Sequence, residues 1–185
     1  METDEDLIAQ YLEGSEESFS ALVARHVPSL YSFAFRFVGN QSDAEDITQE
    51  TFLKVWKNLK KYSRQSASFK TWVMHIARNT AIDYLRKRKQ VPFSHFEDAE
   101  GQSPFQNIAD DTPLPDELSA KKDEVNQVEK VLQELPPLYR EVLLLYYGNS
   151  FTLEEIAKIL ETPPNTVKSR YRRALIALRA LVHQK

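Results

Sequence analysis

Apolar residues recur at intervals of three and four positions along most of this 185-residue chain, the spacing that places them on one face of an α-helix. Alternation with a period of two, which indicates strands, is scarce. We therefore predict an all-α fold. Before the last third of the chain, the predicted helices cover residues 4–13, 15–38 with a potential break at Pro28, 42–59, 69–89, 116–135 and 138–147.

Local signals refine several of these helices. Ser42 and Glu45 have the spacing of a capping box at the start of the third helix. Gly148 followed by Asn149 predicts a left-handed stop for the helix at 138–147. A buried stripe in the third helix is predicted by four apolar residues at helical spacing, Phe52, Val55, Trp56 and Leu59.

Residues 91–115 interrupt the helical pattern. Four prolines lie in this stretch, acidic residues dominate, and apolar residues become rare. The expected structure is a linker between two small helical domains, flexible when the chain is free. The predicted limits are 1–90 for the first domain, 91–115 for the linker and 116–185 for the second domain.

The pattern in residues 151–181 predicts two short helices around a tight turn. Thr152 and Glu155 form a capping box that should start the first of them. Thr162 and Pro163 should be the N-cap and first residue of the second. This arrangement is typical of a helix-turn-helix, whose second helix enters the major groove of DNA.

The second of these helices is basic on one side, because six basic and no acidic residues lie between positions 162 and 185. Arg170 falls near the edge of the apolar side, where it should hold a phosphate or a partner carboxylate. The apolar stripe itself consists of Val167, Tyr171, Ala174, Leu175, Leu178, Leu181 and Val182. The opposite arc, available to base edges, consists of Lys168, Ser169, Arg172 and Arg173. An amphipathic helix with a merely solvated basic face is the alternative.

Charge is distributed in blocks, although the net charge is only −3. Residues 1–20 contain seven acids and no base, whereas residues 54–90 contain eleven bases and one acid. The second basic block lies in the predicted helix-turn-helix. Two separated basic blocks predict contacts with DNA at two places.

Composition also argues against several other classes of protein. The chain has no cysteine, which excludes disulfides, thiolate metal sites and thiol catalysis. Its four histidines are scattered and no catalytic motif is present, so we expect no enzyme, no metal site and no cofactor. No apolar run approaches the length of a membrane span, and the acidic N-terminus does not resemble a signal peptide. We expect a cytoplasmic protein without membrane insertion.

A more specific resemblance is carried by four segments: DAEDITQETFLKVWKNL, FKTWVMHIARNTAIDYLRKRK, LPPLYREVLLLYY and LEEIAKILETPPNTVKSRYRRAL. In this order and at these separations, they resemble the extracytoplasmic-function (ECF) sigma factors of the sigma-70 superfamily over nearly the whole chain. The resemblance implies a protein that binds core RNA polymerase and directs promoter recognition, DNA melting and transcription initiation. The first domain would bind the minus-ten element and the second the minus-thirty-five element. An anti-sigma factor would be a further partner.

The residues implied for the minus-ten element lie on the helix at 69–89. Spacings of seven, four and three place four of them on one face, Trp72, Asn79, Asp83 and Arg86. Asn79 would line a pocket for a flipped base, because an amide both donates to and accepts from a base edge; a helix-surface asparagine is the alternative. Asp83 should meet a base donor or a neighbouring arginine, since its carboxylate repels phosphate. Lys87 and Arg88 would hold phosphates.

The same resemblance implies two more sets of residues. Core polymerase would dock on the acidic start of the helix at 42–59, through Asp43, Asp46, Gln49 and Glu50. Solvated acids that merely pair with the helix dipole are the alternative. The basic arc of the last helix would contact minus-thirty-five bases, with Asn165 and Thr166 on phosphates. Glu161 departs from the glycine or small residue usual at the turn, so strain is expected there.

A stand-alone helix-turn-helix regulator is the competing interpretation. It would account for residues 151–181 but not for the blocks in the N-terminal half. Such a regulator should bind a duplex operator by itself, usually as a dimer on a palindrome. A sigma factor, in contrast, should do little without core polymerase.

Overall fold

The computed structural model describes residues 2–89 and 130–183, and regular secondary structure within these ranges is entirely helical. The all-α prediction is thereby confirmed. The first helical group, residues 2–89, contains α1 (Asp4–Leu12), α2 (Glu16–Val38), α3 (Gln41–Asn58), a 3-10 turn (Leu59–Lys61) and α4 (Phe69–Lys89). The second helical group, residues 130–183, contains a helical segment at 130–134, α5 (Pro137–Leu143), a π-helical turn (Leu144–Gly148), α6 (Leu153–Leu160) and α7 (Pro164–His183). The predicted linker at 91–115 and the predicted helix start at 116 lie outside the described residues.

Pro28 does not break α2, which runs without interruption through it. A proline inside a helix removes the hydrogen bond that its missing N–H would give to the carbonyl four residues earlier. Here both Pro28 and Ala24 are exposed, so water can solvate the carbonyl that loses its partner. The potential break is therefore absent, and α2 forms a single long rod across the first helical group.

The start of α3 corrects the predicted capping box. Asn40 is the N-cap, and its side-chain oxygen accepts a hydrogen bond from the backbone N–H of Asp43 at 3.0 Å. Gly39 ends α2 in the left-handed conformation, with φ of 75°, so the chain reverses at once and Asn40 is already in place to cap. The prediction that Ser42 and Glu45 form the box is wrong for this reason.

The end of the π-helical turn also differs from the prediction. Gly148 does not adopt a left-handed conformation, and Asn149 has φ of −121°. The left-handed residue is Ser150, with φ of 56°, because the wider π-helical turn delays the reversal of the chain. The next prediction holds: Thr152 and Glu155 make the reciprocal capping box at the start of α6.

The start of α7 lies one residue later than predicted. The helix begins at Pro164, and the carbonyl of Pro163 accepts the first helical bond from the N–H of Val167 at 3.1 Å. Thr162 is not the N-cap, since its hydroxyl donates instead to the carbonyl of Leu160 at 3.0 Å. Two successive prolines lack N–H groups, and the second one takes the N1 position where that loss is harmless.

One continuous core joins the two helical groups. The first group packs α2, α3 and α4 around the large buried rings of Phe33, Phe37 and Phe69. The second packs α5, α6 and α7 around three fully buried aliphatic residues, Leu145, Ile156 and Ile159. α4 lies against α6, and α2 lies against the π-helical turn. Among the helices described, none combines the length and apolar content needed to cross a bilayer.

Candidate nucleic-acid interface

The second helix of the helix-turn-helix, α7, turns its predicted basic arc toward solvent. Five residues of the predicted apolar stripe are buried in the second helical group: Val167, Tyr171, Ala174, Leu175 and Leu178. Among the arc residues and the two predicted phosphate anchors, Lys168 and Asn165 are exposed and the others, Thr166, Ser169, Arg172 and Arg173, are partly exposed. The predicted division of α7 into a buried side and a solvent-facing side is confirmed.

Two residues of α7 depart from the helical wheel. Val182, predicted in the buried stripe, is 48% exposed in the last turn of the helix. Arg170 is only 7% exposed, so it belongs to the packing of the second helical group. The stripe includes a polar contact, because the hydroxyls of Tyr171 and Tyr147 lie 2.9 Å apart. Burial, together with this hydrogen bond, raises the pKa of Tyr171 and keeps its hydroxyl neutral.

The turn between α6 and α7 carries the expected strain. Glu161 has φ of 50° and ψ of 41°, a left-handed conformation that disfavours any residue with a Cβ atom. Its side chain is largely exposed, and one carboxylate oxygen lies 3.9 Å from Nε2 of His75 on α4. The turn of the helix-turn-helix therefore lies next to the other proposed DNA-binding helix.

Trp72 lies near the start of α4, at the edge of the first helical group. Its ring centroid is 5.4 Å from that of Tyr62 and 5.8 Å from that of Phe69, and the indole is half-buried. The Tyr62 hydroxyl donates to the carbonyl of Ala67 at 3.2 Å, which holds the preceding loop against the helix. Burial is the main cause that raises the pKa of Tyr62. Trp72 is thus fixed beside the loop at 61–68.

The outer end of α4 is the more exposed part of that helix. Asp83 lies 3.5 Å from Arg86 in an i, i+3 pair, the neighbouring-arginine partner that was one of its two predicted contacts. About half of each side chain remains in contact with solvent, and Lys87 is exposed. Arg88 belongs to the helix, but its side chain lies outside the described residues.

Asn79 lies in the middle of α4, and both its amide nitrogen and its amide oxygen are hydrogen-bonded. Its Nδ2 is 3.0 Å from Nε2 of His75, and its Oδ1 accepts a hydrogen bond from Arg78 at 3.1 Å. Both of these partners in turn contact the second helical group. Nδ1 of His75 is 2.9 Å from the carbonyl oxygen of Ile159, which identifies Nδ1 as the protonated nitrogen and Nε2 as the acceptor of the Asn79 bond.

Arg78 makes an ion pair between the two helical groups. Its Nε and Nη2 donate to the two carboxylate oxygens of Glu141 on α5, at 2.9 and 3.3 Å. The Glu141 side chain is fully buried and that of Arg78 is 15% exposed. A two-bond arginine–carboxylate pair fixes both distance and orientation. The half-buried Asn79 amide is therefore held by side chains that are themselves tied to the second helical group.

Two lysines extend the contact along α4 and the loop before it. Lys70 donates to the carbonyl of Asn149 at 2.7 Å, and its ammonium lies 4.4 Å from the ring centroid of Phe151. Lys158 on α6 donates to the carbonyl of Ser66 at 3.2 Å. These bonds join the second helical group to the start of α4 and to the loop at 61–68 before it.

A third set of contacts reaches the C-terminal end of α2. Arg140 donates to the carbonyl of Phe37 at 2.7 Å and also binds the backbone of Gln133 and Leu135. Burial lowers the pKa of Arg140 to about 10, which leaves the guanidinium charged at neutral pH. Arg140 therefore organises the start of the second helical group while it holds that group against the first.

Only three of the four predicted docking residues at the acidic start of α3 are exposed to solvent. Asp46, Gln49 and Glu50 are exposed, and Glu50 pairs with Lys54 at 3.0 Å. Asp43 is only 3% exposed and accepts a hydrogen bond from the Tyr84 hydroxyl on α4 at 3.1 Å. The prediction of Asp43 as a surface contact is corrected: its carboxylate links α3 to α4. Burial and the nearby Asp46 charge raise the pKa of Tyr84.

An apolar groove beside this acidic face was missed by the sequence analysis. Leu53 and Trp56 are 57% and 52% exposed, although Trp56 was predicted to be buried with Val55 and Leu59. The groove has a volume of about 670 Å³ and is lined by Tyr11, Glu16, Phe19, Ser20, Val23, Gln49, Phe52, Leu53 and Trp56. The indole N–H donates to the Tyr11 hydroxyl at 2.7 Å, which fixes the ring at the rim. The groove begins at Gln49, so it continues the exposed part of the docking surface.

Within residues 2–89 and 130–183, no group of three or more histidine, aspartate or glutamate side chains is placed to hold a metal ion. The His75 nitrogens are both used in hydrogen bonds to the peptide oxygen of Ile159 and the Asn79 amide. The candidate site is therefore built from basic, amide and aromatic side chains, the groups that contact phosphates and bases.

Comparison with known proteins identifies the class of protein that this arrangement represents. The sigma-70 region 2 family model matches residues 22–91, and the sigma-70 region 4 model matches residues 126–178. The first match contains α4, and the second contains α6 and most of α7. The chain belongs to the sigma-70 family.

Individual relatives define the branch of the family. The ECF RNA polymerase sigma factor SigW of Bacillus subtilis is 33% identical over 93% of this chain and 92% of its own length. The chain is thus an RNA polymerase sigma factor of the ECF type, a transcription initiation factor and not an enzyme.

Two solved structures share the fold at 25% sequence identity. The complex of CnrH with the cytosolic domain of CnrY matches with a TM-score of 0.71, over 98% of this chain and 98% of the matched one. The complex of the sigma factor RpoE with the anti-sigma factor NepR, from Bartonella quintana, matches with a TM-score of 0.67. That match covers 90% of this chain and 98% of the other.

Proposed function

We propose that this chain binds core RNA polymerase and directs it to promoters through two helices, α4 for the minus-ten element and α7 for the minus-thirty-five element. The observation that carries the proposal is the geometry of α7, which buries its apolar stripe and turns a basic arc outward. We assign residues 1–90 to the minus-ten domain, 91–115 to the linker and 116–185 to the minus-thirty-five domain. The matched family regions support this division.

For the minus-thirty-five element, the basic arc of α7 enters the major groove. Arg172 and Arg173 suit guanine, whose O6 and N7 accept two hydrogen bonds from one guanidinium. Lys168 and Ser169 add base or phosphate contacts from the first turns of the helix. Asn165 and Thr166 lie at its N-terminal end, where side-chain donors and backbone N–H groups meet phosphate.

For the minus-ten element, we propose that Asn79 reads a base flipped from the stack. Its amide can donate and accept on the base edge, and the indole of Trp72, seven residues earlier on the same helix, offers an apolar surface at the start of α4. Arg86, Lys87 and Arg88 follow on the same helix and supply charge for the backbone of the melted strand. Asp83 orients Arg86 through their 3.5 Å contact.

Core polymerase would dock on the exposed part of the α3 surface. Asp46, Gln49 and Glu50 supply negative charge and hydrogen bonds, which guide association and fix its orientation. The neighbouring groove adds the exposed apolar groups of Leu53 and Trp56. Tryptophan is among the residues that contribute most to affinity at interfaces. The acidic and apolar parts together give a surface for a partner that is basic at one edge and apolar beside it.

An anti-sigma factor is the further partner that we propose. The solved complex of RpoE with the anti-sigma factor NepR supports this, because the sigma factor in that complex shares the fold of this chain. A cytoplasmic location, where core polymerase and chromosomal DNA are found, is the corresponding proposal for the cell.

The test compares the chain alone with the chain on core polymerase. We expect it to co-elute with purified core polymerase and to produce a sequence-specific gel shift of promoter fragments only in that complex. Strong specific binding of duplex DNA by the chain alone would instead support a stand-alone regulator. Failure to co-elute with core polymerase would overturn the proposal.

A further inference from the structure

Two polar contacts join α3 to α4, and both reach α4 within a single helical turn. The hydroxyl of Tyr84 donates a hydrogen bond to Oδ1 of Asp43 at 3.1 Å. The ammonium of Lys54 donates to the hydroxyl oxygen of Thr80 at 3.0 Å. Each of these two positions on α4 directly follows a residue proposed to read the minus-ten element, namely Asn79 and Asp83.

The contact between Lys54 and Thr80 satisfies a hydroxyl inside the first helical group. Thr80 is only 1% exposed, and it donates its own hydroxyl hydrogen to the carbonyl of Ile76 at 2.8 Å. The hydroxyl oxygen is therefore left to accept the hydrogen bond from Lys54. The same ammonium pairs with Glu50 at 3.0 Å, so Lys54 extends from the surface of α3 to the buried side of α4.

The contact between Asp43 and Tyr84 involves a buried charge. The Asp43 carboxylate lies in the first turn of α3, where the backbone N–H groups of the helix favour a negative charge. Burial raises the pKa of Tyr84, so its hydroxyl keeps the hydrogen that it donates. Because a carboxylate away from water needs hydrogen-bond donors, this contact holds the two helices in a defined geometry.

Together the two contacts restrict the rotation of α4 about its own axis. Residues four apart lie one above the other on a helix, so the two proposed base-reading residues form one row on α4. The two residues bonded to α3 form the next row, about 100° around the axis. At a radius of about 5–6 Å, a rotation of about 20° would move the end of a side chain by about 2 Å. A binding site must hold its groups within roughly 0.5 Å, and hydrogen bonds are directional in a way that apolar packing is not.

We propose that Asp43 and Lys54 are positioning residues for the minus-ten helix, which hold α4 in the rotation that directs Asn79 and Asp83 at the promoter strand. This inference rests on the proposed function of α4. It gives α3 two functions, because its exposed residues face polymerase while these two residues orient α4. Asp43, which the sequence analysis assigned to polymerase docking, has the second function instead.

Small substitutions on each side of the two contacts test this role. Tyr84→Phe removes one hydroxyl from α4, and Tyr31→Phe removes the same group from a half-buried position on α2 as the matched control. Lys54→Met removes the ammonium but keeps most of the side-chain length, and Lys57→Met does the same at an exposed position three residues later. None of these four residues is proposed to contact DNA or polymerase. Thermal melting followed by circular dichroism establishes that each variant is folded.

The measurement is discrimination between minus-ten strands by the full-length chain bound to core polymerase. Each holoenzyme is titrated with a labelled single-stranded oligonucleotide that carries the minus-ten strand of a promoter used by the wild type. Copies of this oligonucleotide with one base substituted at each position in turn are titrated in the same way. The ratio of the two affinities does not depend on the fraction of folded protein, so a loss of stability alone leaves it unchanged.

We expect Tyr84→Phe and Lys54→Met each to lower this ratio about three- to tenfold at the bases that α4 reads, the size of effect expected when one hydrogen bond is lost. Both controls should match the wild type. Asp43→Asn should also keep the wild-type ratio, because its amide oxygen still accepts from the Tyr84 hydroxyl, whereas Asp43→Ala should lose discrimination. The affinity of Tyr84→Phe for core polymerase should stay within about twofold of wild type, since the exposed docking residues are intact.

Wild-type discrimination by folded Tyr84→Phe and Lys54→Met would overturn the positioning role, and wild-type discrimination by one of them would remove that contact from it. If Tyr84→Phe does not fold, Lys54→Met still tests the role, because this side chain is 37% exposed. Failure of the proposed function gives a different result. In that case the wild-type holoenzyme would itself show no preference among the oligonucleotides, or Asn79→Ala would discriminate as the wild type does.

Discussion

The two proposed DNA-binding helices differ in how much of the face proposed to contact DNA is exposed to solvent. α7 turns Lys168 and its neighbours toward solvent, supported from behind by a stripe that is buried in its own helical group. α4 holds Asn79 in a network with His75 and Arg78, both of which reach into the other group. The basic arc of α7 thus reaches solvent, whereas the central part of α4 is hydrogen-bonded to side chains that contact the second helical group.

The type of DNA contact proposed for each helix would account for this difference. A major-groove helix binds a duplex that needs no melting, so a rigid basic face is sufficient. A pocket for a flipped base is useful only when strands separate on the polymerase. Internal hydrogen bonds can therefore satisfy its polar groups until that moment.

The largest effect should come from the pocket on α4. Asn79→Ala removes the amide that would hold a flipped base, and the expected loss in the rate of open-complex formation is roughly 100-fold, from a few kcal/mol of lost pocket energy. Initial binding of holoenzyme to duplex promoter should change little. Rapid-mixing measurements of both steps provide the test; equal losses in the two would indicate a folding defect instead.

A smaller effect is expected from the basic arc of α7. Arg173→Ala should reduce initiation about tenfold, since an arginine–guanine contact contributes about 1–3 kcal/mol of discrimination. The loss should depend on the sequence of the minus-thirty-five element. Arg179→Ala, one and a half turns further along and outside the arc, is the control. If initiation with Arg173→Ala depends on the minus-thirty-five sequence as strongly as with wild type, the assignment of the α7 basic arc to that element is wrong.

Removing one charge from the α3 surface should have a smaller effect than the substitutions on either proposed DNA-binding helix. Asp46→Asn should weaken binding to core polymerase about three- to fivefold at low salt, and the difference should shrink as ionic strength rises. Glu45→Gln, at the preceding exposed position, serves as the control. Affinities measured at two salt concentrations check this, and an effect that is independent of salt would argue against charge complementarity.

The smallest expected effect concerns the turn between α6 and α7. Glu161→Gly should stabilise the fold by about 0.5–1 kcal/mol, because glycine adopts the left-handed conformation without a steric penalty. For a chain of this size the melting temperature should rise by about 2–4 °C. Glu154→Gly, inside α6, should lower it instead. A lower melting temperature for Glu161→Gly would contradict the strain assigned to this turn.

Local patterns were sufficient to predict most of the helices and the two sides of α7. The residues that build α7 lie within one stretch of 20, so helical periodicity alone places its basic arc opposite its apolar stripe. The capping box of α6 was predictable for the same reason. The errors at the starts of α3 and α7 are shifts of one or two residues, where neighbouring polar or proline residues compete for the same role.

Contacts between distant parts of the chain were not predictable in this way. The buried carboxylate of Asp43 accepts a hydrogen bond from the hydroxyl of Tyr84, 41 residues later, and no local pattern predicts that bond. The Arg78–Glu141 pair joins positions 63 residues apart across the predicted linker. Trp56 has the spacing of a core residue, and its exposure follows from how α1 and α2 leave a groove beside α3. Each of these features depends on tertiary packing, which periodicity does not encode.

Start-site mapping with reconstituted holoenzyme tests the central claim most directly. Core polymerase would transcribe a fragmented genomic library with and without the purified chain, and 5′ ends would be sequenced. The account predicts a set of start sites that appears only with the chain and shares one upstream and one minus-ten motif. Start sites that are identical in the two reactions would contradict it.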